Sequence, residues 1–261
     1  MKHYVVADPH GFYTELIEAL KNAGFFDDKE PHKLIVCGDA LDRGGEAVKM
    51  QNFLLELYEK GELIFVRGNH EDLLEDMMDD VIEDPWMFLN GYSHHVRNGT
   101  FDTAMQLSKM NVKEAIMRLH DLVFATKESP FYKTLMPSSV DYYETEHYVF
   151  VHGWIPFITT GTSISRSYHY NPSWREASAE EWRQARWPNG MDMAEKFGII
   201  EPGKTVVCGH WHASYGHFAF EHKGAQHGPY ADYSPYFGTG IIALDACTAR
   251  TRMVNCIVIE D

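Results

Sequence analysis

Five times along this chain a short apolar run, rich in β-branched residues, stops at Asp, Asn or His with glycine beside it. Tyr4-Val5-Val6-Ala7 runs into Asp8-Pro9-His10-Gly11, and Lys33-Leu34-Ile35-Val36-Cys37 into Gly38-Asp39. Leu63-Ile64-Phe65-Val66 runs into Arg67-Gly68-Asn69-His70-Glu71, and Tyr148-Val149-Phe150-Val151 into His152-Gly153. Thr205-Val206-Val207-Cys208 runs into Gly209-His210-Trp211-His212. Runs of this kind read as buried strands. Open α/β sheets gather ligand groups at strand tips, on loops held by a rigid scaffold. The second run constrains the chain most. Asp39, Asp42 and Arg43 share one tight loop, and Gly44-Gly45 lets the backbone turn sharply into the next helix. A bare turn needs the glycines but not two carboxylates and an arginine.

The segments between these runs have helical spacing. Leu16, Ile17 and Leu20 share a face of a helix over Tyr13 to Asn22, with Gly24 as its stop. Met50, Phe53, Leu54, Leu57 and Tyr58 do the same from Glu46 to Lys60, ended by Gly61. A further helix is expected after Asn69-His70. Strand–helix–strand repeats of this length predict parallel strands with right-handed crossovers. Pro85 to Glu128 lacks β-branched runs and reads as a helical insertion, about residues 85–128. Phe131 to Val151 reads as a return to strands, and Ser163 to Phe197 as loop followed by helix. Gly240 to Glu260 reads as a final hairpin around Thr248-Ala249-Arg250-Thr251. No linker rich in Pro, Gly or Ser interrupts the chain, so one domain over 1–261 is expected.

With 23 Lys plus Arg against 38 Asp plus Glu, the net charge is −15. A surface this acidic repels nucleic acid polymers and anionic lipid. Part of the acidity falls in Glu71 to Asp80, which reads as the solvated face of a helix. The N-terminus enters a strand without a basic-then-apolar leader, and no apolar run approaches the ~20 residues that span a bilayer. Cys37, Cys208, Cys247 and Cys256 form no close pair, so reduced, buried thiols and a cytoplasmic location are expected.

Aspartate and histidine with an asparagine amide suit Mn, Fe, Zn or Co, not an all-oxygen calcium cage. Asp8 and His10 are one residue apart, so on an extended tip they face the same side, as do His210 and His212. Asp39 is a single carboxylate between two such sets. One carboxylate can bridge two cations ~3.5–4 Å apart, and such a pair lowers the pKa of a shared water. His94, His95, His217, His222 and His227 lack a carboxylate or cysteine partner at set spacing. They read as surface or hydrogen-bonded histidines. Trp211 reads as packing in the site wall rather than a stacking platform.

Taken together, Asp8-x-His10, Gly38-Asp39-x-x-Asp42-Arg43-Gly44, Gly68-Asn69-His70-Glu71, His152-Gly153 and Gly209-His210-x-His212 resemble the five signature blocks of the calcineurin-like metallophosphoesterases. The blocks stand in the family's order from residue 8 to residue 212. Asp42-Arg43-Gly44 and Glu71 resemble the phosphoprotein phosphatase branch. That branch includes bacterial and phage-type Ser/Thr protein phosphatases and the symmetrical bis(5′-nucleosyl)-tetraphosphatases. The resemblance implies an α/β (α+β) four-layer fold, two mixed β-sheets packed face to face and flanked by helices. It implies two divalent metals, Mn²⁺ or else Fe or Zn. Asp8, His10 and Asp39 would hold one, with His212 joining them, and Asp39, Asn69, His152 and His210 the other. Arg43 would grip the phosphate, His70 would protonate the leaving oxygen, and Asp42 would orient His70. Asn69 and His70 would also touch the phosphate. The family's second phosphate-binding arginine would be one of Arg166, Arg175, Arg183 and Arg186, with Arg186 preferred. Pro9 and Ala40 depart from the usual pattern, and neither is a ligand type. Eukaryotic phosphatases of this branch commonly lack a second histidine like His212, so its presence resembles the prokaryotic type. The activity implied is hydrolysis of phosphomonoesters by a metal-activated hydroxide. A phosphoserine or phosphothreonine protein is the expected substrate, and a dinucleoside polyphosphate the alternative. A non-catalytic scaffold would be expected to have lost ligands or His70, and this chain retains them.

Overall fold

The structure is a computed structural model that describes residues 1–86, 94–162 and 165–261. One sheet has the order β11-β1-β2-β3: Cys256–Glu260, Lys2–Val6, His32–Cys37 and Leu63–Val66. β1, β2 and β3 are parallel, as the repeats predict, and β11 runs antiparallel along β1. The second sheet has the order β4-β5-β8-β10-β9: Tyr143–Glu144, Tyr148–Phe150, Thr205–Cys208, Ile241–Ala243 and Tyr236–Gly238. Here β5, β8 and β10 are parallel to one another, with antiparallel partners at both edges.

The two sheets pack face to face. Val5, Ala7, Ile35, Cys37 and Val66 from the first meet Phe150, Val207, Ile242 and Leu244 from the second in one buried cluster. Helices α1 (Tyr13–Ala23), α2 (Ala47–Glu59) and α3 (Asn69–Glu83) cover the outer face of the first sheet, through Leu16, Leu20, Met50, Leu54 and Met77. Gly24 ends α1 in the left-handed region, φ 89°, which a glycine adopts without steric cost. Further along lie α4 (His94–Asn98), α5 (Thr100–Ser108), α6 (Val112–Met117) and α7 (Leu119–Lys127). The 87–93 portion of the helical stretch expected from Pro85 lies outside the described residues. Trp154, Trp174 and Trp182 fill the core on the outer side of the second sheet.

Three expectations are corrected. Residues 241–260 do not form a hairpin, because β10 belongs to the second sheet and β11 to the first, and Thr248–Thr251 is a helical turn between them. The apolar run of β11 completes the open edge of β1 rather than folding back on β10. Phe131 to Leu135 is helical, with Phe131 and Leu135 buried, so strands resume only at Tyr143. The stretch expected as a loop from Ser163 contains β7 (Arg166–Tyr170), paired antiparallel with β6 (Phe157–Gly161). Residues 163–164 are outside the described residues. The helix expected after it is present at Ala179–Ala185. Among the described residues no helix is long and apolar enough to cross a membrane.

Candidate metal centre

All five strand tips converge at one edge of the sandwich. The loops there are tight: Asp8, His10, Asp39, Arg43 and His210 all have positive φ, between 49° and 68°. Five side-chain-bearing residues in the left-handed region cost free energy, and such strain persists where packing over-determines it, typically at functional sites. Two glycines are required by proximity. A Cβ on Gly68 would lie 2.3 Å from Asp39 Oδ1, and one on Gly209 1.9 Å from Asp8 Oδ2. Larger residues there would displace the carboxylates.

Asp39 sits at the centre. Its Oδ1 lies 3.3 Å from His152 Nε2, and its Oδ2 lies 3.7 Å from His10 Nε2 and 3.8 Å from His70 Nε2. The two oxygens thus face two different imidazole sets. Ligand atoms of His10, Asp39 and His70 form one group within metal-binding reach of one another, and those of Asp39, His152 and His210 form another. Asn69 Oδ1 joins the second, 2.8 Å from His152 Nε2 and 2.9 Å from His210 Nδ1.

The donor set fits a cation. His152 Nδ1 donates to the Cys37 carbonyl at 2.9 Å, so its Nε2 carries a lone pair, and that lone pair faces the Asn69 carbonyl oxygen. Two acceptors aimed at one point need a positive charge between them. Burial keeps the imidazoles neutral. It drives the pKa of His10 and of His152 down, and that of His210 to about 3. His10 Nδ1 is buried without a hydrogen-bond partner. On the carboxylate side, burial and the neighbouring Asp245 and Asp39 push Asp8 well up, and burial lifts Asp245 to about 6. A cation beside Asp8 and Asp245 would favour their charged state.

Arg43 joins the two halves of the loop system. Its Nη1 lies 2.6 Å from His10 Nε2 and its Nη2 2.9 Å from His70 Nε2. On the far side of His70, Nδ1 lies 2.7 Å from Asp42 Oδ2. Asp42 is fixed in turn by Thr100 Oγ1 at 2.7 Å and Thr103 Oγ1 at 2.6 Å, both donating from α5. Glu71 accepts the backbone N–H groups of Gly68, Asp39 and Ala40 at 2.8–3.0 Å and so ties two strand tips together. Burial lifts its pKa to about 7.

Other expected site residues lie differently. The Asp8 carboxylate accepts the backbone N–H of His210, at 2.9 and 3.1 Å, and its side chain belongs to neither group. His212 is in neither group: Nδ1 lies 2.8 Å from Ser214 Oγ and its ring 4.7 Å from that of His227. Arg186 is buried and pairs with Asp72 at 2.7 Å and with Asp141, because a buried guanidinium requires carboxylate partners. Arg175 pairs with Glu144 and Glu201, and Arg183 with Asp76. The acidic run is only partly solvated, since Glu71 and Asp72 are 2% exposed. His95 is hydrogen-bonded to Asp80 and His217 to Glu221, as expected of histidines outside the site. All four cysteines are free, with Cys37 and Cys208 buried and the other two partly so.

Sequence reasoning missed Thr100, Thr103, Thr248 and Asp245. Thr248 Oγ1 donates to the Asp8 carbonyl at 3.0 Å. The Thr100-x-x-Thr103 spacing, one helical turn, was the available signal for two of them. Asp245 ends a sixth apolar run, Ile241-Ile242-Ala243-Leu244, in the same manner as the other five.

The model of the family described as calcineurin-like phosphoesterase matches residues 1–214. The chain is 26% identical over 141 residues to a bis(5′-nucleosyl)-tetraphosphatase PrpE [asymmetrical] of Bacillus velezensis, covering 52% of each. It is 27% identical over 133 residues to the protein of the same name in Bacillus subtilis, covering 46% of this chain and 50% of that protein. The chain thus spans about half the length of the curated relatives it matches. Among solved structures, a cold-active protein-tyrosine phosphatase of a psychrophilic Shewanella species superposes with a TM-score of 0.53 at 14% identity. That match covers 100% of this chain and 75% of the other. A likeness at that identity concerns the fold.

Proposed function

The chain belongs to the calcineurin-like phosphoesterase family, and from that premise we propose that it is a two-metal hydrolase of dinucleoside polyphosphates. The observation that carries the hydrolytic reading is Asp39, whose two carboxylate oxygens face two separate imidazole groups. His10, Asp39 and His70 surround one position, and Asp39, Asn69, His152 and His210 the other. Two divalent cations held at such positions would supply Lewis acidity and lower the pKa of a bound water. The hard-to-borderline set of carboxylate, amide oxygen and imidazole donors suits Mn²⁺, Fe or Zn.

The remaining roles belong to the chain itself. Arg43 spans two neutral imidazoles, which are weak partners for a guanidinium. An entering phosphate offers its fork a bidentate anion instead, so Arg43 turns to the substrate. That movement frees His70 Nε2. Burial alone would lower the His70 pKa, but the Asp39 charge and the Asp42 hydrogen bond raise it overall. Once Arg43 has turned away, His70 Nε2 takes up a proton from solvent and passes it to the departing oxygen while Nδ1–H stays on Asp42. His70 lies between the two roles of ligand and acid in this geometry, and we assign it the acid. Arg186, held by Asp72 and Asp141, is assigned a structural role rather than a phosphate contact.

The substrate class is supported by the curated relatives named as bis(5′-nucleosyl)-tetraphosphatases. Turnover with Mn²⁺ should be compared on diadenosine tetraphosphate, a phosphothreonine peptide and p-nitrophenyl phosphate. We expect the dinucleotide to be preferred by kcat/KM. Preference for the phosphopeptide would replace the substrate and keep the hydrolase, giving the Ser/Thr phosphatase reading. No metal-dependent turnover of any of the three would overturn both.

A further inference from the structure

Beside the reaction centre, on the far side of Arg43, lies an open cavity of about 630 Å³ that Arg43 borders and no other residue of the reaction centre lines. Its walls are the Arg43-Gly44-Gly45 loop and α5 with the turn after it, including Asp102, Met105, Lys109 and Met110. The volume is that of a small-molecule site. Its frame is rigid. Gln106 accepts the Ala47 N–H and donates to the Gly44 carbonyl, both at 2.9 Å, so α5 and the loop cannot part without breaking both bonds. The Arg43 guanidinium stands between the cavity and the metal-binding groups, which makes the two spaces neighbours.

The chemistry of the walls selects an occupant. Lys109 caps α5 in the left-handed region, φ 59°, which presents it at the end of the helix. Among the described residues its ammonium has no ion pair, in a chain with a net charge of −15. Met105 and Met110 offer flexible thioether surface suited to a flat aromatic face. Asp102 offers acceptor oxygens for ribose hydroxyls. We propose that this cavity holds the part of a dinucleoside polyphosphate beyond the scissile phosphate, with Lys109 on the anionic chain and Met105 and Met110 against the nucleoside. The assignment rests on the substrate class proposed above. A phosphopeptide carries a single phosphate, which Arg43 already takes, and leaves Lys109 with no anion to meet.

Two substitutions test it without threatening the fold. Lys109→Asn removes the charge, and asparagine tolerates left-handed backbone well. Gly45→Leu adds bulk at the cavity wall, and it is tolerated because a Cβ at Gly45 meets no atom within 4 Å and its φ is not positive. The readout is the ratio of kcat/KM for diadenosine tetraphosphate to that for p-nitrophenyl phosphate, which is too short to reach the cavity. We expect each variant to lower this ratio tenfold or more, chiefly through KM for the dinucleotide. Wild-type turnover of the dinucleotide with an unmoved ratio in both variants would overturn the cavity assignment alone. Absence of wild-type turnover of the dinucleotide would overturn the substrate class, and this assignment with it.

Discussion

At the scale of single residues, the site depends on which nitrogen of each histidine carries a proton. His152 is settled by the Cys37 carbonyl, which takes Nδ1–H and leaves Nε2 for the site. His70 is settled by Asp42, which takes Nδ1–H in the same way. The two differ in what Nε2 faces. For His152 it is the Asn69 oxygen, and for His70 the guanidinium of Arg43. His70→Asn should therefore lower kcat by roughly 10²–10⁴, the scale of general acid–base catalysis, while two metals per chain remain. Metal analysis of the purified variant beside its kinetics checks this. Loss of one metal equivalent would make His70 a ligand, as its proximity to His10 and Asp39 also permits.

At the scale of elements, α5 acts as a clamp on the Asp42 loop. Thr100 and Thr103 lie one turn apart and place both hydroxyls on one carboxylate. A hydrogen bond to a charged group is worth about 1.5–3 kcal/mol, so removing one should loosen Asp42 and through it His70. Thr103→Val should lower kcat about tenfold with KM little changed, and Thr103→Ser should restore it. Failure of serine to rescue would show that the methyl group's packing matters rather than the bond. This clamp also marks the limit of what the sequence discloses. The five tip motifs are local: a β-rich run, a glycine and a ligand type within a few residues, so they and the parallel sheet are legible. The partners of Asp42 and Asp8 come from positions 58 to 240 residues away and carry only common threonines. The β11 edge strand escapes a sequence reading because pairing partners are not encoded locally. Arg186 escapes it because only the fold brings Asp72 and Asp141 to it.

The interface between the sheets contains one misfit. His3 is 2% exposed, neither of its ring nitrogens has a hydrogen-bond partner, and it packs against Tyr143 and Phe150 from the opposite sheet. Burial, with the N-terminal charge and Lys33, lowers its pKa below 6.5. The unfolded chain therefore binds this proton more readily than the native one. The sign follows: the proton-linked cost of His3 is absent above the unfolded pKa and grows progressively as pH falls through about 6.5 and below. His3→Leu, close in volume and without polar atoms, should narrow the gap in stability between pH 7.5 and pH 5.5. Urea denaturation of both proteins at the two pH values measures it. Parallel pH dependence in wild type and variant would remove His3 from the acid response.

At the scale of the whole molecule, the two groups proposed to hold metals are a seam between the two sheets. His10, Asp39, Asn69 and His70 follow strands of the first sheet, and His152 and His210 follow strands of the second. The inter-sheet core is otherwise apolar. Toward the tips, Asp8, Asp39, Glu71 and Asp245 bring four buried carboxylates into one region, where burial already raises Asp8, Glu71 and Asp245. Cations bound to the native state alone stabilise it by mass action, by about 2.7 kcal/mol at a hundredfold excess over Kd. For a chain of this size each kcal/mol moves the melting temperature by about 2–4 °C. Chelation with EDTA should therefore lower the melting temperature by about 5–10 °C, and Mn²⁺ should restore it. Asp39→Asn removes the one carboxylate shared by both groups, so its melting temperature should respond to neither reagent. Scanning calorimetry of both proteins decides the matter. A metal response in Asp39→Asn equal to that of wild type would show that the two groups bind independently of Asp39.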